Sequence, residues 1–314
     1  MRHGRPRALA TPWPHVITDV LCGIMVTAFV AVVMTSAGAA PALADAAEKA
    51  ATPRLLKGTA DWRHARQVVA DLKASPPQVP LVVMFGTSTT RESTITDASW
   101  SKAIGRAAGM TVTAYNLGST NQTFTQDRAL VRHLPEVPTV VFIGIDVVRF
   151  VAPPCGAAVT LPSPRPIPAS YDQHRYSVRR ILSAAKKRAL VRDWVKRRYP
   201  VFLKNYKHNL AELRLLIEEC QQRGLHPVLL EAPRNTAAIK TAFNRAVRKY
   251  RGSCRGLAAH YGIPYIDFVS ACRFRDRDFY DVWHAVEPGR RKWQLRLSTH
   301  TVRLLRRYGM VPAT

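Results

Sequence analysis

The chain has 314 residues, with 47 Lys and Arg against 21 Asp and Glu, giving a formal net charge of +26 at pH 7. Its length is sufficient for one large α/β domain with a full core. The charge favours an anionic partner. No zinc-ligand spacing, RNA-recognition signature or helix-turn-helix pattern accompanies it, so nucleic acid is not the expected partner.

The first 44 residues predict export. Three arginines among the first seven residues precede an apolar stretch from Val20 to Met34, and a small-x-small cleavage sequence ends at Ala44. If the segment is retained, a hydrophobic helix over about residues 16–40 is long enough to cross a bilayer. We therefore expect a membrane anchor with the C-terminal domain extracytoplasmic, or a secreted protein if cleavage follows Ala44.

Residues 45–78 predict a linker and a first helix, and residues 79–314 predict one domain. In that domain, apolar runs that end in turn-forming residues alternate with helical patterns. The first predicted strand ends at Phe85, and the other four lie at 111–118, 139–146, 226–233 and 263–269. The predicted helices lie at 124–134, 204–223, 238–261 and 292–308. The alternation predicts a three-layer α/β/α sandwich with a mostly parallel five-stranded sheet.

Ser88 follows the first strand, and Asp281 and His284 lie near the C-terminus. A serine hydroxyl at neutral pH needs an imidazole to take its proton and a carboxylate to hold the imidazole in the correct tautomer. Residues three apart in a loop or first helical turn lie on the same side, so the carboxylate can reach the ring. These three residues are therefore the predicted catalytic triad.

Ser88, Gly118 and Asp146 each follow a predicted strand. Ligands of open parallel sheets bind outside the carboxyl ends of the strands, so we expect these three residues to converge on one edge.

The same residues belong to four short blocks, and in these blocks the chain resembles the SGNH or GDSL hydrolases. The blocks are Gly86-Thr87-Ser88, with Thr in place of the usual Asp, Asn116-Leu117-Gly118, Gly144-Ile145-Asp146, where the family has Gly-x-Asn, and Asp281-x-x-His284. The resemblance implies a flavodoxin-like fold and a cofactor-free triad with Ser88 as nucleophile, His284 as base and Asp281 as orienter. It also implies an oxyanion hole formed by the backbone N–H groups of Ser88 and Gly118 and the third-block side chain.

Asp146 departs from the family pattern at that third block. An ionised carboxylate cannot donate a hydrogen bond to an oxyanion and would repel it. Asp146 must therefore be protonated, point elsewhere or mark a site of altered chemistry. Asn116 and Asn121 are the candidate substitute donors.

Three further residues are candidate substrate-binding residues. Arg91 and Arg149 can bind an anionic acyl group or a phosphate, and Trp283 can form a wall of the pocket beside His284.

An insertion at 147–203 interrupts the α/β alternation. Its first half is proline-rich and predicts an extended loop. Its second half, Arg175 to Arg198, has ten Lys or Arg and one acid, Asp193, and predicts an amphipathic basic helix or helical pair. Such a segment can lie on an anionic membrane, form a lid over an anionic polymer, or be an ordinary solvated face.

Four cysteines, Cys155, Cys220, Cys254 and Cys272, lie in the part predicted to be exported. They could form two disulfides, although Cys220 on an apolar helix face could equally be a buried thiol. No cysteine or histidine spacing indicates a metal site.

The sequence thus predicts an exported or anchored serine-dependent esterase or O-acyltransferase that acts on a cell-envelope polysaccharide through an acyl-enzyme. Anchored proteins similar to it include alginate-type O-acetyltransferases and the teichoic acid D-alanylation protein, and this resemblance implies an integral membrane acyl-donor partner. The alternatives are a catalytically inert SGNH-like module that binds an anionic envelope polymer, and a lipid or phosphodiester hydrolase.

Overall fold

The computed structural model of the chain describes residues 59–156, 158–166 and 174–313. The predicted signal or anchor helix, its cleavage site and most of the predicted linker lie outside these residues. None of the helices in the described ranges is long and apolar enough to span a bilayer.

A five-stranded sheet lies at the centre of the domain, and all neighbouring strands are parallel. The strands are β1 (Leu81–Phe85), β2 (Thr113–Asn116), β3 (Thr139–Ile145), β4 (His226–Glu231) and β5 (Tyr265–Ile266). Their order, β2-β1-β3-β4-β5, is the flavodoxin-like order. Every residue of β1 and β3 is buried, as expected of strands covered on both faces.

Helices cover both faces of the sheet. They are α1 (Ala60–Ala74), α2 (Ser88–Arg91), α3 (Asp97–Ala108), α4 (Phe124–Val131), α5 (Ala184–Asp193), α6 (Tyr199–Gln222), α7 (Thr236–Ile239), α8 (Asn244–His260) and α9 (Glu287–Arg307). Side chains of α1, α4, α6 and α8 form one buried cluster with one face of the sheet, and those of α3 and α9 form another cluster with the other face. The predicted three-layer α/β/α sandwich is confirmed.

Three helical segments differ from the prediction, and one of them is the helix predicted at 238–261, where the structure has the two helices α7 and α8. Helix α3 was not predicted, although the Thr96 side chain caps its first turn and Gly109, at φ 74°, ends it. The basic segment is α-helical only from Ala184, and it continues into α6 through a π-helical turn at Trp194–Arg198. The basic helix and α6 are thus consecutive parts of one helical run.

The four cysteines of the described domain are free, so of the two alternatives for Cys220 the structure has the buried thiol and not a disulfide. Cys220 and Cys254 are buried in the cluster on one face of the sheet, and Cys272 is buried in the cluster on the other face. Burial raises the pKa of all three thiols, to about 11 for Cys272. These cysteines pack as small apolar side chains.

Candidate active site

The turn after β1 presents Ser88 at the carboxyl edge of the sheet. A Cβ at Gly86 would lie 2.1 Å from Thr90 Oγ1, so only glycine lets α2 approach the strand this closely. The Thr87 side chain accepts a hydrogen bond from the backbone N–H of Thr89 (3.3 Å) and caps α2. Ser88 is the first residue of that helix and is half-buried.

A hydrogen-bonded chain of three side chains starts at Ser88. Ser88 Oγ lies 2.9 Å from His284 Nε2, and His284 Nδ1 lies 2.7 Å from Asp281 Oδ2. The serine and the histidine are 196 positions apart in the sequence. The structure thus brings the three predicted triad residues together in the order that proton transfer from serine requires.

The loop that carries His284 is organised around Asp281. Asp281 Oδ1 accepts hydrogen bonds from the backbone N–H groups of Trp283 (2.7 Å) and His284 (2.8 Å), which leaves Oδ2 to face the imidazole. Burial alone raises the pKa of Asp281, but the hydrogen bond and charge of His284, with the two backbone donors, lower it below its usual value. Asp281 is therefore ionised at neutral pH and can orient a neutral imidazole or stabilise an imidazolium.

An aromatic side chain from the insertion covers the imidazole. The ring of Tyr176 stacks on that of His284, with 4.4 Å between centroids and 26° between planes, and it also stacks on Tyr280 at 4.5 Å. Tyr176 is half-buried. Sequence reasoning missed this residue, because it lies outside the four blocks and more than 100 positions from its partner.

Two of the predicted oxyanion donors are engaged elsewhere. The backbone N–H of Gly118 donates to Asn116 Oδ1 (3.1 Å), and Asn116 Nδ2 donates to Thr90 O (2.8 Å) and Thr94 Oγ1 (2.9 Å). These bonds hold the loop after β2 against the turn that carries Ser88. The expectation that Gly118 or Asn116 donates to an oxyanion is therefore corrected.

Asn121 occupies a different position from Asn116. It is exposed, adopts a left-handed backbone conformation at φ 57°, and lines a cavity together with Thr87. Asn121 and the Ser88 backbone N–H are the predicted donors that remain available.

The two positions at which the blocks depart from the family pattern contact each other. Thr87 Oγ1 donates to Asp146 Oδ2 (2.9 Å), and the backbone N–H of Arg149 donates to Asp146 Oδ1 (2.9 Å). Both carboxylate oxygens of this buried residue are thus acceptors. Of the three options for Asp146 (protonated, pointing elsewhere, or altered chemistry), the geometry supports the second, because its side chain points to Thr87 and Arg149. The prediction that Asp146 donates to the oxyanion is therefore wrong.

The three predicted substrate-binding residues have different environments. Arg91 is 1% exposed and pairs with Asp61 (2.7 Å) and Glu92 (2.8 Å). The prediction that it contacts substrate is therefore wrong. Arg149 lines the cavity beside Thr87. Trp283 is half-buried and stacks on Phe243, with centroids 5.0 Å apart, so this ring packs against the core.

Glu92 is the centre of a buried ionic network under the site. It pairs with Arg91 and Arg290, and it bonds to His174 Nδ1 at 3.2 Å. Arg290 also donates to the carbonyl of Tyr176 (2.8 Å), which ties the segment over His284 to helix α9. Burial by itself raises the pKa of Glu92, but His174, Arg290 and Arg91 outweigh it and lower the pKa from 4.5 to about 2.

Glu92→Gln is expected to destabilise the fold by about 3 kcal/mol at pH 7, because it leaves buried guanidinium groups without their counter-charge. The folded-state pKa lies below the unfolded value, so this contribution is complete above about pH 5 and is lost as the pH falls towards about 2. Urea unfolding of both proteins at several pH values measures the difference.

The matched control for Glu92→Gln is Glu287→Gln, which breaks an exposed pair with Arg291. We expect this control to change stability by less than about 0.5 kcal/mol. Equal losses in the two variants would contradict the assigned importance of the buried network.

Within the described ranges, no group of three or more His, Cys, Asp or Glu side chains is arranged to hold a metal ion. The site as described has the groups for proton transfer and nucleophilic attack.

No protein-family model matches the chain, and no curated protein matches it significantly. Solved structures with similarity to it include a lipase/acylhydrolase from Enterococcus faecalis (16% identity, 75% of this chain and 99% of that one, TM-score 0.41). Another is a putative lipolytic protein of the G-D-S-L family from Desulfitobacterium hafniense (15% identity, 71% of this chain and 98% of that one, TM-score 0.41). A third is an acetylxylan esterase from Geobacillus stearothermophilus (12% identity, 74% of this chain and 97% of that one, TM-score 0.44).

Proposed function

We propose that the protein is a serine-dependent esterase or O-acyltransferase of the SGNH type. The observation that carries the proposal is the hydrogen-bonded chain from Ser88 through His284 to Asp281. It lies at the carboxyl edge of a parallel sheet, where ligands of such sheets bind. Each of the three side chains lies within hydrogen-bond distance of its partner, Ser88 and Asp281 on opposite sides of the imidazole.

In the proposed mechanism, Ser88 Oγ attacks the carbonyl carbon of an ester and His284 Nε2 takes the serine proton. The tetrahedral intermediate then breaks its bond to the leaving oxygen, to which His284 returns the proton. Water or a sugar hydroxyl attacks the resulting acyl-enzyme and gives its own proton to His284. Ser88 is released when it takes that proton back, and Asp281 holds the imidazole throughout.

We propose that the substrate is a cell-envelope polysaccharide. It is O-acylated if the reaction is hydrolysis, and it is the acyl acceptor, with an integral membrane acyl-donor partner, if the reaction is a transfer. The predicted export segment and the net charge of +26 support an anionic partner outside the cytoplasm. The described part of the insertion adds support, because apolar side chains are exposed among its basic residues. These are Val178, Leu190, Val195, Val201 and Leu203, each 38–47% exposed. Such a surface suits an anionic membrane face.

Asp146→Asn tests the effect of a carboxylate next to the nucleophile turn. The amide keeps the shape, its oxygen can still accept from Arg149 N–H, and its nitrogen can donate to Thr87 Oγ1. Removing the negative charge of a residue that contacts the nucleophile turn is expected to raise kcat for 4-nitrophenyl acetate by about tenfold, because an anionic intermediate forms on the ester that Ser88 attacks. A fall in kcat at unchanged stability would show that the carboxylate itself serves the reaction.

The proposed activity is tested by release of 4-nitrophenol from 4-nitrophenyl esters and of acetate from acetylated polysaccharides, with and without an oligosaccharide acceptor. We expect turnover well above the uncatalysed rate, and acylated acceptor if transfer dominates. Folded protein with no turnover on any ester would favour the second candidate, an inert module that binds an anionic polymer.

A further inference from the structure

A cavity of about 250 Å³ opens beside the nucleophile turn. Thr87 and Asn121 line it, and the segment after β3 contributes the apolar residues Val148, Val151 and Ala152 to the lining. Arg198 also lines the cavity. The space is many times larger than one water molecule needs, so it can hold a short acyl chain.

The position of the cavity relative to the triad indicates which half of an ester it would hold. His284 has to protonate the leaving oxygen, so the leaving group lies on the side of His284 and its covering ring, Tyr176. The residues that line the cavity come from the segments after β1, β2 and β3 and from Arg198, and the segment with His284 contributes none of them. The acyl half is therefore the part that faces this cavity.

Arg198 gives the cavity a charge that is not neutralised. The other arginine in the lining, Arg149, is buried and forms an ion pair with Asp127. Asp193, the only acid between residues 175 and 198, pairs with Arg197 at 3.1 Å. Across the part of the chain that the structure describes, the guanidinium of Arg198 has no carboxylate partner, and the side chain is exposed.

The local backbone explains how Arg198 reaches this position. Arg198 ends the π-helical turn that begins at Trp194, and π-turns inside α-helices are rare and frequently lie at functional sites. Trp194 is buried against Phe243, with ring centroids 4.3 Å apart, which holds the turn to the core. The turn changes the register of the helix between its buried anchor and Arg198.

We propose that this cavity is an acyl subsite for a short chain of about four to six carbons that ends in a carboxylate, which Arg198 binds. The proposal rests on the proposed ester chemistry of Ser88. The apolar part of the lining contacts the methylene groups of the chain, and the guanidinium pairs with the terminal carboxylate. The preferred substrates are thus monoesters of dicarboxylic acids such as succinic or glutaric acid.

The test compares the full-length protein with Arg198→Gln on 4-nitrophenyl esters of glutaric acid and of pentanoic acid, which match in length and differ in the terminal charge. We expect Arg198→Gln to lower kcat/KM for the glutarate ester about tenfold and for the pentanoate ester less than about twofold. Equal changes for the two esters would overturn the proposal.

The matched control is Arg197→Gln, which removes the same charge one position away, from a residue outside the cavity lining. It is expected to change both values less than about twofold. An equal effect of the two arginine variants would indicate a general effect of surface charge and would overturn the proposal. A preference for charge in the leaving group, measured with 4-acetoxybenzenesulfonate against phenyl acetate and abolished by Arg198→Gln, would overturn it as well.

A binding measurement separates this proposal from the proposed activity. Saturation-transfer NMR with the Ser88→Ala variant compares monomethyl glutarate with methyl pentanoate, and we expect the signal of the glutarate alone to depend on Arg198. Selective binding without turnover would retain the subsite and reject the ester chemistry. Turnover without selectivity, with no Arg198-dependent binding, would retain the chemistry and reject the subsite.

Discussion

Ser88→Ala and His284→Ala are each expected to lower kcat for 4-nitrophenyl acetate by about 10⁴-fold or more, with little further loss in the double variant. The two side chains act as a unit, because the 2.9 Å contact between Ser88 Oγ and His284 Nε2 is the path of the proton. Initial-rate kinetics on the purified chain measure the loss.

The matched controls are Ser270→Ala and His260→Ala, which remove the same groups at exposed positions. We expect both controls to retain the wild-type rate, because surface substitutions away from such sites have small effects. If Ser88→Ala kept more than about a tenth of the wild-type kcat, Ser88 could not be the nucleophile.

Asp281→Asn is expected to lower kcat by about 10⁴-fold while the protein stays folded. An asparagine would keep its oxygen on the backbone N–H groups of Trp283 and His284 and turn its NH₂ group towards His284 Nδ1. The imidazole would then carry its proton on Nε2, where it could not accept the serine proton.

The measurement for Asp281→Asn combines kcat with near-UV circular dichroism and the melting temperature. Normal spectra with the expected rate loss would establish Asp281 as the group that sets the tautomer. A loss below about tenfold in a folded variant would contradict that role.

The sheet could be predicted from the sequence because its strands are short apolar runs that end in turn-forming residues. In β1 and β3 every side chain is buried, so the pattern needed no knowledge of long-range partners. Helix α3 was missed even though Thr96 and Gly109 are ordinary capping residues. The reason is that only two of its residues, Trp100 and Ile104, are buried, so its apolar pattern is weak. Local signals therefore identify strands with continuous burial better than a helix with a narrow buried face.

The triad residues could be predicted because Ser88 directly follows an apolar strand, and Asp281 and His284 are three positions apart, which lets the carboxylate reach the imidazole. The network around them could not, because Glu92 and Arg290 are 198 positions apart and a charged residue in isolation reads as a surface residue. The same limit applies to Arg91, which was expected at the surface of the pocket and is 1% exposed. Thr87 and Asp146 could each be noted as a departure from the family blocks, but only the fold shows that one contacts the other.

The most direct test of the central claim is to treat the full-length protein with a fluorophosphonate and locate the adduct by peptide mass spectrometry. Ser88 lies 2.9 Å from its base, so we predict one stoichiometric adduct on Ser88 that His284→Ala abolishes and His260→Ala does not. Folded protein that forms no adduct, or an adduct at another serine, would contradict the acyl-enzyme mechanism.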